Sequence, residues 1–235
     1  MAGETPREPA VAAALAASSI FDGLGVNDVA RLASRMQPRH YERGEVIISQ
    51  GDAAGSLHVV CSGGVKIATV NEDGKETVLA FLRPGEMFGE LAALDGGPRS
   101  ATVTALERTE TAALAREELL TFIHSHGDFA VQIIRTLASR LRRLDERLED
   151  AHFMDLDTRF ARQLVELAET HGQAAPGGTA INLPLTQSEL ASMIGATRVS
   201  ANRLLGAYQD AGLVRLDKRS LVVTDLRGLR ARAGR

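Results

Sequence analysis

Apolar side chains recur at Ile134, Leu137, Leu141, Leu144 and Leu148, spaced three, four, three and four apart. This is the period of a two-stranded coiled-coil seam, and it predicts one long helix from about Asp128 to Ala151. A helix packed on its own domain can carry two such heptads; the heavily charged flanks favour the seam of a dimer. The helix divides the chain into a part patterned for strands and a part patterned for short helices. Before it, Glu45–Ile48, Leu57–Cys61, Val65–Val70, Thr77–Leu82, Ala101–Ala105 and Thr109–Leu114 are short, apolar or alternating runs separated by Gly, Asp or Pro. Asp73-Gly74 between two of them is a hairpin signal that needs positive φ. Strands of this length and spacing imply a sandwich or a barrel-like roll.

The flanking segments are helical. Ile20, Phe21, Leu24, Val29, Leu32 and Met36 suggest short helices, with Asn27-Asp28 able to cap the second, and Arg116–His124 returns to helix after the strands. Met1–Ser19 is Ala-rich, but Glu4 and Glu8 offset Arg7, so it reads as a frayed arm or short helix rather than a signal sequence.

Length and composition set the bounds. The 235 residues suffice for one large or two modest domains, and no apolar run is long enough to cross a bilayer. Cys61 is the only cysteine, so an intramolecular disulfide or a cluster held by several thiolates of one chain is excluded, which fits a reducing cytoplasm. Cys61 itself reads as a small buried strand residue. His124 and His126 fall on different helix faces, no metal spacing occurs among the six histidines, and no metal is predicted. No nucleophile is paired with a general base, so an enzyme is not expected.

Fifteen residues carry the most chemistry: Phe88-Gly89-Glu90-Leu91-Ala92-Ala93-Leu94-Asp95-Gly96-Gly97-Pro98-Arg99-Ser100-Ala101-Thr102. An Arg guanidinium matches two oxygens of a phosphodiester, which makes Arg99 the phosphate candidate. Gly89 and the Ser100 amide and hydroxyl can add donors where a bulky side chain would block approach. A carboxylate beside a phosphate is repelled unless it faces a sugar hydroxyl, so Glu90 suits a ribose 2′-hydroxyl. The plain alternative is two turns and a solvated Glu90/Arg99 ion pair; the length and order of the stretch favour the pocket.

After the long helix, His152–Asp157 reads as a break, Arg159–His171 as a helix and Gly172–Thr179 as a surface loop. Thr186-Gln187-Ser188-Glu189 is a capping box that starts a short helix ending at Gly195. Thr197 can cap a second helix whose Ala201, Leu204, Leu205 and Tyr208 face a core, leaving Val199, Arg203 and Gly206 pointing away. Gly212 closes it, and Leu213–Leu216 with Leu221–Thr224 form a hairpin. Helix, turn, helix and β-wing in this order make a winged helix-turn-helix. The net charge of −3 requires any nucleic-acid affinity to be local, and Arg198, Arg203, Arg215, Lys218, Arg219, Arg227, Arg230, Arg232 and Arg235 outnumber the acids from Arg198 onward. Arg198 and Arg203 are the base-reading candidates; Thr186, Gln187, Thr197 and Ser200 suit phosphates, and Lys218 and Arg219 in the wing add backbone attraction. Val199 has no acceptor and can only touch a thymine methyl.

The fifteen-residue stretch resembles the phosphate-binding cassette of cyclic-nucleotide-binding domains. With Leu185-Thr186-Gln187-Ser188-Glu189-Leu190-Ala191, Gly195-Ala196-Thr197-Arg198 and the turn glycines Gly44, Gly51, Gly63 and Gly85, roughly Ile20 to Val223 resembles the catabolite activator protein (cAMP receptor protein), or Crp/Fnr, family of transcriptional regulators. The resemblance implies an α+β chain: an arm over 1–19, a cyclic-nucleotide-binding, jelly-roll-like β-roll over 20–127, a dimerisation helix over 128–151, and a winged helix-turn-helix over 152–235. It implies cAMP or a related cyclic nucleotide as allosteric ligand, without metal, haem or iron–sulfur cluster. Gly89, Glu90, Leu91, Arg99 and Ser100 would bind that ligand, and Leu144 and Asp145 fall at the base-contacting positions, where cAMP-responsive members often carry small polar side chains. Many members carry Glu where Val199 stands, so the half-site should differ from TGTGA. Expected partners are a palindromic duplex, a second copy of the chain and RNA polymerase, in the cytoplasm and without a membrane. The alternatives are ligand-independent DNA binding, another nucleotide such as cyclic di-GMP, or a protein-interaction module.

Overall fold

A computed structural model describes residues 7–16, 18–22, 24–217 and 220–234. The chain forms two compact units, one ending at Leu141 and one beginning at Arg142.

In the first unit, helix α1 (Arg7–Ala16) is followed by a 3-10 turn at Ser19–Phe21 and by α2 (Val26–Arg35). Over Arg7–Ala16 the arm is therefore helical, and Val11, Ala14 and Leu15 are buried. The expected cap of α2 is not formed: Gly25 is the cap residue without a side-chain bond, and Asp28 instead pairs with His126 at 3.4 Å. Eight strands follow: β1 (Gln37–Tyr41), β2 (Val46–Ile48), β3 (Ser56–Ser62), β4 (Val65–Val70), β5 (Glu76–Leu82), β6 (Met87–Phe88), β7 (Thr102–Ala105) and β8 (Thr109–Ala115). They make two antiparallel sheets ordered β1-β8-β3-β6 and β2-β7-β4-β5. The Asp73-Gly74 signal holds, with Gly74 at φ +76° between β4 and β5.

Strand β3 explains the layering. Its side chains alternate between faces, and both faces are covered, so Leu57 to Val60 is one buried run. Val60 packs with Ile48, Val65, Leu82, Phe88 and Val103 between the sheets. Leu57 and Val59 pack outward on a cluster that includes Leu15, Phe21, Leu32 and Phe129. The covering elements include α4 (Arg116–Ser125) and the long helix α5 (Gly127–Phe153), whose Phe129 stacks on Phe21 with centroids 5.4 Å apart. A short helix, α3 (Glu90–Asp95), leaves β6 directly.

The second unit contains the last turns of α5, α6 (Leu156–His171), β9 (Gly172–Ala175), β10 (Gly178–Ile181), α7 (Gln187–Met193), α8 (Arg198–Asp210), β11 (Val214–Asp217), β12 (Ser220–Val223) and α9 (Leu226–Arg232). The break expected over His152–Asp157 narrows to Met154 and Asp155, because the Asp155 carboxylate accepts from Thr158 N at 2.8 Å and starts α6 at once. The loop expected over Gly172–Thr179 is a hairpin turning at Gly177, φ +79°. It was obscured because its glycines serve close backbone approach: a Cβ on Gly178 would collide with the Val223 carbonyl. Strand β10 thereby joins the wing in a sheet ordered β11-β12-β10-β9. Helix α9 had no counterpart in the sequence reading.

Candidate ligand pocket and DNA-reading surface

Gly89 links β6 to α3 in a left-handed conformation, φ +76° and ψ 8°, which glycine adopts without the Cβ penalty of other residues. A second constraint is steric. A Cβ there would lie 2.6 Å from Arg99 Nη1 and 2.9 Å from the Ser56 carbonyl. The Gly89 carbonyl accepts from Arg99 Nη1 at 2.9 Å. Arg99 is itself stapled by its backbone, whose N–H donates to Asp52 O and whose carbonyl accepts from Gly51 N, each at 2.9 Å. Burial draws the Arg99 guanidinium below its ordinary pKa, opposed by Asp52 and Glu90; it remains a cation at neutral pH.

Glu90 begins α3 and is buried, with a side-chain exposure of 6%. Its Oε1 accepts from Arg140 Nη1 at 2.6 Å, while Arg140 Nη2 donates to the Met87 carbonyl at 2.6 Å. Arg140 therefore neutralises the carboxylate and ties α5 to the strand that enters the pocket. Sequence reasoning missed it, reading the charged flanks of α5 only as favouring a dimer seam. The signal was available: Phe129, Ile133, Leu137 and Arg140 fall on one helical face, and the first two are fully buried on the roll.

His58 sits behind the site. It pairs in register with Phe88, stacks on that ring with centroids 5.0 Å apart, and engages Ser56 Oγ at 2.8 Å and Thr111 Oγ1 at 3.2 Å. Burial first, then Arg99 and Arg39, lower its pKa to about 4, so it is neutral at physiological pH. Burial also pushes the Cys61 thiol up to about 11, as suits an inert strand residue. Among the described residues no group of His, Cys, Asp or Glu is placed to hold a metal ion.

The structure thus brings Gly89, Glu90 and Arg99 together, with Leu91 and Ser100 exposed beside them. Leu144 and Asp145 lie on the exposed surface of α5 in the second unit. Ile134, Leu141, Leu144 and Leu148 are exposed as well, whereas Leu137 is partly buried against the roll.

In the second unit the capping box forms: Thr186 Oγ1 accepts from Glu189 N at 3.1 Å, and Glu189 Oε2 accepts from Thr186 N at 2.8 Å. Gly195 turns the chain at φ +64°, and Thr197 caps α8 by accepting from Ser200 N at 3.2 Å. Ala201, Leu205 and Tyr208 are buried. The opposite side of α8 exposes Arg198, Arg203 and Val199, the last at 79%. Arg198 Nη2 donates to Gln187 Oε1 at 3.4 Å, which joins the first residue of α7 to the first of α8. Arg215, Arg230 and Arg232 pair with Asp217, Glu169 and Asp157, so the basic excess counted in the sequence is partly neutralised within the unit. Lys218 and Arg219 lie outside the described residues.

A sandwich of sheets with a buried Arg and carboxylate at a glycine turn is thus joined, in one chain, to a winged fold that exposes an arginine-bearing helix. Residues 38–126 match the cyclic nucleotide-binding domain and residues 158–232 the Crp-like helix-turn-helix domain. The chain is 34% identical over 219 residues to the CRP-like cAMP-activated global transcriptional regulator of Mycobacterium tuberculosis, covering 93% of this chain and 98% of that one. It is 36% identical over 199 residues to the cyclic AMP receptor protein of Thermus thermophilus, covering 85% and 89%. Among solved structures it is similar to the c-di-GMP-responsive global regulator of Xanthomonas campestris, with a TM-score of 0.73, 26% identity and coverage of 86% and 100%. The chain belongs to the Crp/Fnr family of cyclic-nucleotide-controlled transcriptional regulators.

Proposed function

We propose that this chain is a dimeric transcription regulator whose sequence-specific DNA binding is controlled by cAMP. The observation that carries the ligand reading is the charge arrangement around Gly89. Arg140 neutralises Glu90, leaving the Arg99 guanidinium to meet one phosphate charge. The second oxygen of Glu90 can accept from a ribose 2′-hydroxyl. A cyclic mononucleotide presents one phosphate and one such hydroxyl together. Similarity to a c-di-GMP-responsive regulator and the Leu144-Asp145 pair favour cyclic di-GMP as the second reading, but that ligand brings two phosphate charges to a pocket with one uncommitted guanidinium.

The exposed stripe of Ile134, Leu141, Leu144 and Leu148 supports pairing of α5 with its counterpart in a second copy. Exposed Arg198, Val199 and Arg203 support α8 as the helix that enters the major groove, with Thr186, Gln187, Thr197 and Ser200 setting its register on phosphates. A dimer would read a palindrome whose half-sites lie roughly 34 Å apart, alongside RNA polymerase. Ligand would favour the arrangement of recognition helices that fits that spacing.

Calorimetric titration of the purified protein with cAMP, with cyclic di-GMP as the comparison ligand and Arg99→Lys as the control, tests this. Micromolar cAMP binding that is lost in Arg99→Lys is the expected result, since a point ammonium cannot replace the paired donors. Tight cyclic di-GMP binding without cAMP binding would overturn the cAMP assignment, and unchanged cAMP affinity in the variant would overturn the role of Arg99.

A further inference from the structure

Arg162 of α6 is shared between two other helices of the second unit. Its Nε donates to the Ala233 carbonyl at 2.9 Å, and its Nη1 pairs with Asp150 in the last turns of α5. Ala233 is the cap residue of α9. Carbonyls at a helix end lack intrahelical donors and carry the negative end of the dipole, so a guanidinium there is doubly favoured.

Helix α9 is in turn continuous with the wing. Strand β12 ends at Val223, and the Thr224 and Asp225 amides donate to the Leu213 carbonyl just before β11, at 2.9 and 3.2 Å. Asp225 caps α9 by accepting from Gly228 N at 2.8 Å. The helix buries Leu229 and is held to α6 by Arg230 on Glu169 at 2.8 Å and by Arg232 on Asp157 at 3.2 Å. The Arg232 guanidinium also lies 5.1 Å from the centre of the Tyr208 ring of α8. A second pair, Arg147 with Glu166 at 3.0 Å, ties α5 to α6. An unbroken set of bonded groups therefore runs from the wing through Asp225, α9, Ala233 and Arg162 to Asp150, bypassing the α6–α8 packing.

We propose that α9 and Arg162 form a brace through which docking of the wing is coupled to the end of α5, so that Arg162 is a positioning residue for ligand-controlled DNA binding. The guanidinium is the joint because its fixed fork reaches a carbonyl and a carboxylate at once, which an ammonium does not reproduce. Loss of either end frees the other. Coupling between linked sites is reciprocal, so a change at Asp150 must be felt in α9, and one in α9 must be felt at the α5–α6 elbow.

The test uses the full chain and the variants Asp150→Asn, Arg162→Lys and the double substitution, all of which retain side-chain length or charge. Hydrogen exchange of the ligand-free protein is followed in peptides covering 153–158 and 225–233. Each single variant is expected to speed exchange in both segments by about fivefold or more, the lower end of the coupling typical of linked sites. Acceleration confined to 153–158 in Asp150→Asn, with α9 unchanged, would overturn the brace. The regulatory consequence rests on the cAMP reading above and is measured separately, as the ratio of DNA affinities with and without cAMP on a duplex selected from random sequence by the wild-type protein. Both single variants are expected to change that ratio by about fivefold or more, and the double variant no further, because one bridge is broken once. A ratio that stays at the wild-type value in all three variants would overturn the regulatory role. A wild-type protein that fails to bind cAMP refutes the ligand reading alone, and the exchange measurement still decides the brace.

Discussion

Arg140→Met is the most informative single change in the first unit. The Glu90 carboxylate is 6% exposed and its cation 26% exposed, so the substitution removes the cation in direct contact with a buried negative charge and leaves it the weaker, through-space attraction of Arg99, and the Met87 carbonyl loses its 2.6 Å donor. Breaking a buried pair from one side costs about 3–5 kcal/mol, and an orphaned carbonyl about 1–3 kcal/mol more. Water reaching the partly exposed position of Arg140 relieves some of both, which places the expected loss near 3 kcal/mol. That is a large part of the ~5–15 kcal/mol available to a typical domain. Glu90→Gln and the double variant Glu90→Gln/Arg140→Met complete a cycle. With no charge left to strand, the double variant should be more stable than the sum of the two single losses by about 2 kcal/mol. Urea unfolding followed by far-ultraviolet circular dichroism reads this as a shift of midpoint at constant slope. A loss below about 1 kcal/mol for Arg140→Met, or strict additivity in the cycle, would refute the account of Arg140 as the neutralising partner of Glu90.

Three further expectations concern other groups. His58 is neutral in the fold down to about pH 4 but takes up a proton near pH 6.5 when unfolded; stability should therefore be unaffected by this group above pH 6.5 and fall by about 3 kcal/mol as pH drops through the window. His58→Phe, which keeps the stack on Phe88, should lack that component in pH-dependent melts, and an unchanged profile would contradict it. Val199→Glu supplies an acceptor for the cytosine amino group at an exposed position of α8, so selection from random duplexes should shift one base pair toward cytosine by about 1–3 kcal/mol of preference; an unaltered consensus would place Val199 away from the base edges. Arg203→Ala should relax preference at one base pair at a cost of about 1–3 kcal/mol, whereas uniform weakening across sequences would make Arg203 a phosphate contact.

The parts of the fold legible from the sequence are those fixed by nearby atoms. The Asp73-Gly74 hairpin, the Thr186/Glu189 capping box, the Thr197 cap and the turn at Gly195 each depend on residues within a few positions, and each stands where the sequence put it. The β9–β10 hairpin was lost among glycines that read as loop, because the close approach of Gly178 to Val223 belongs to a distant partner. The same division runs through the pocket. Gly89, Glu90 and Arg99 could be grouped from the sequence because they fall within one short stretch, and the fold brings them together. Arg140, fifty positions from Glu90, could not.

By itself, then, the sequence determined a sandwich or roll of short strands, a long amphipathic helix and a capped winged domain. Period, turn dihedrals and caps are local properties that a chain carries into any context. Only the tertiary structure decided which charges are spent internally. It set Arg140 against Glu90, His58 behind Phe88, and Arg162 between Asp150 and the end of α9. A charged side chain on a helix flank looks the same in sequence whether it meets water or a buried carboxylate, because desolvation and pairing arise only when remote segments close around it.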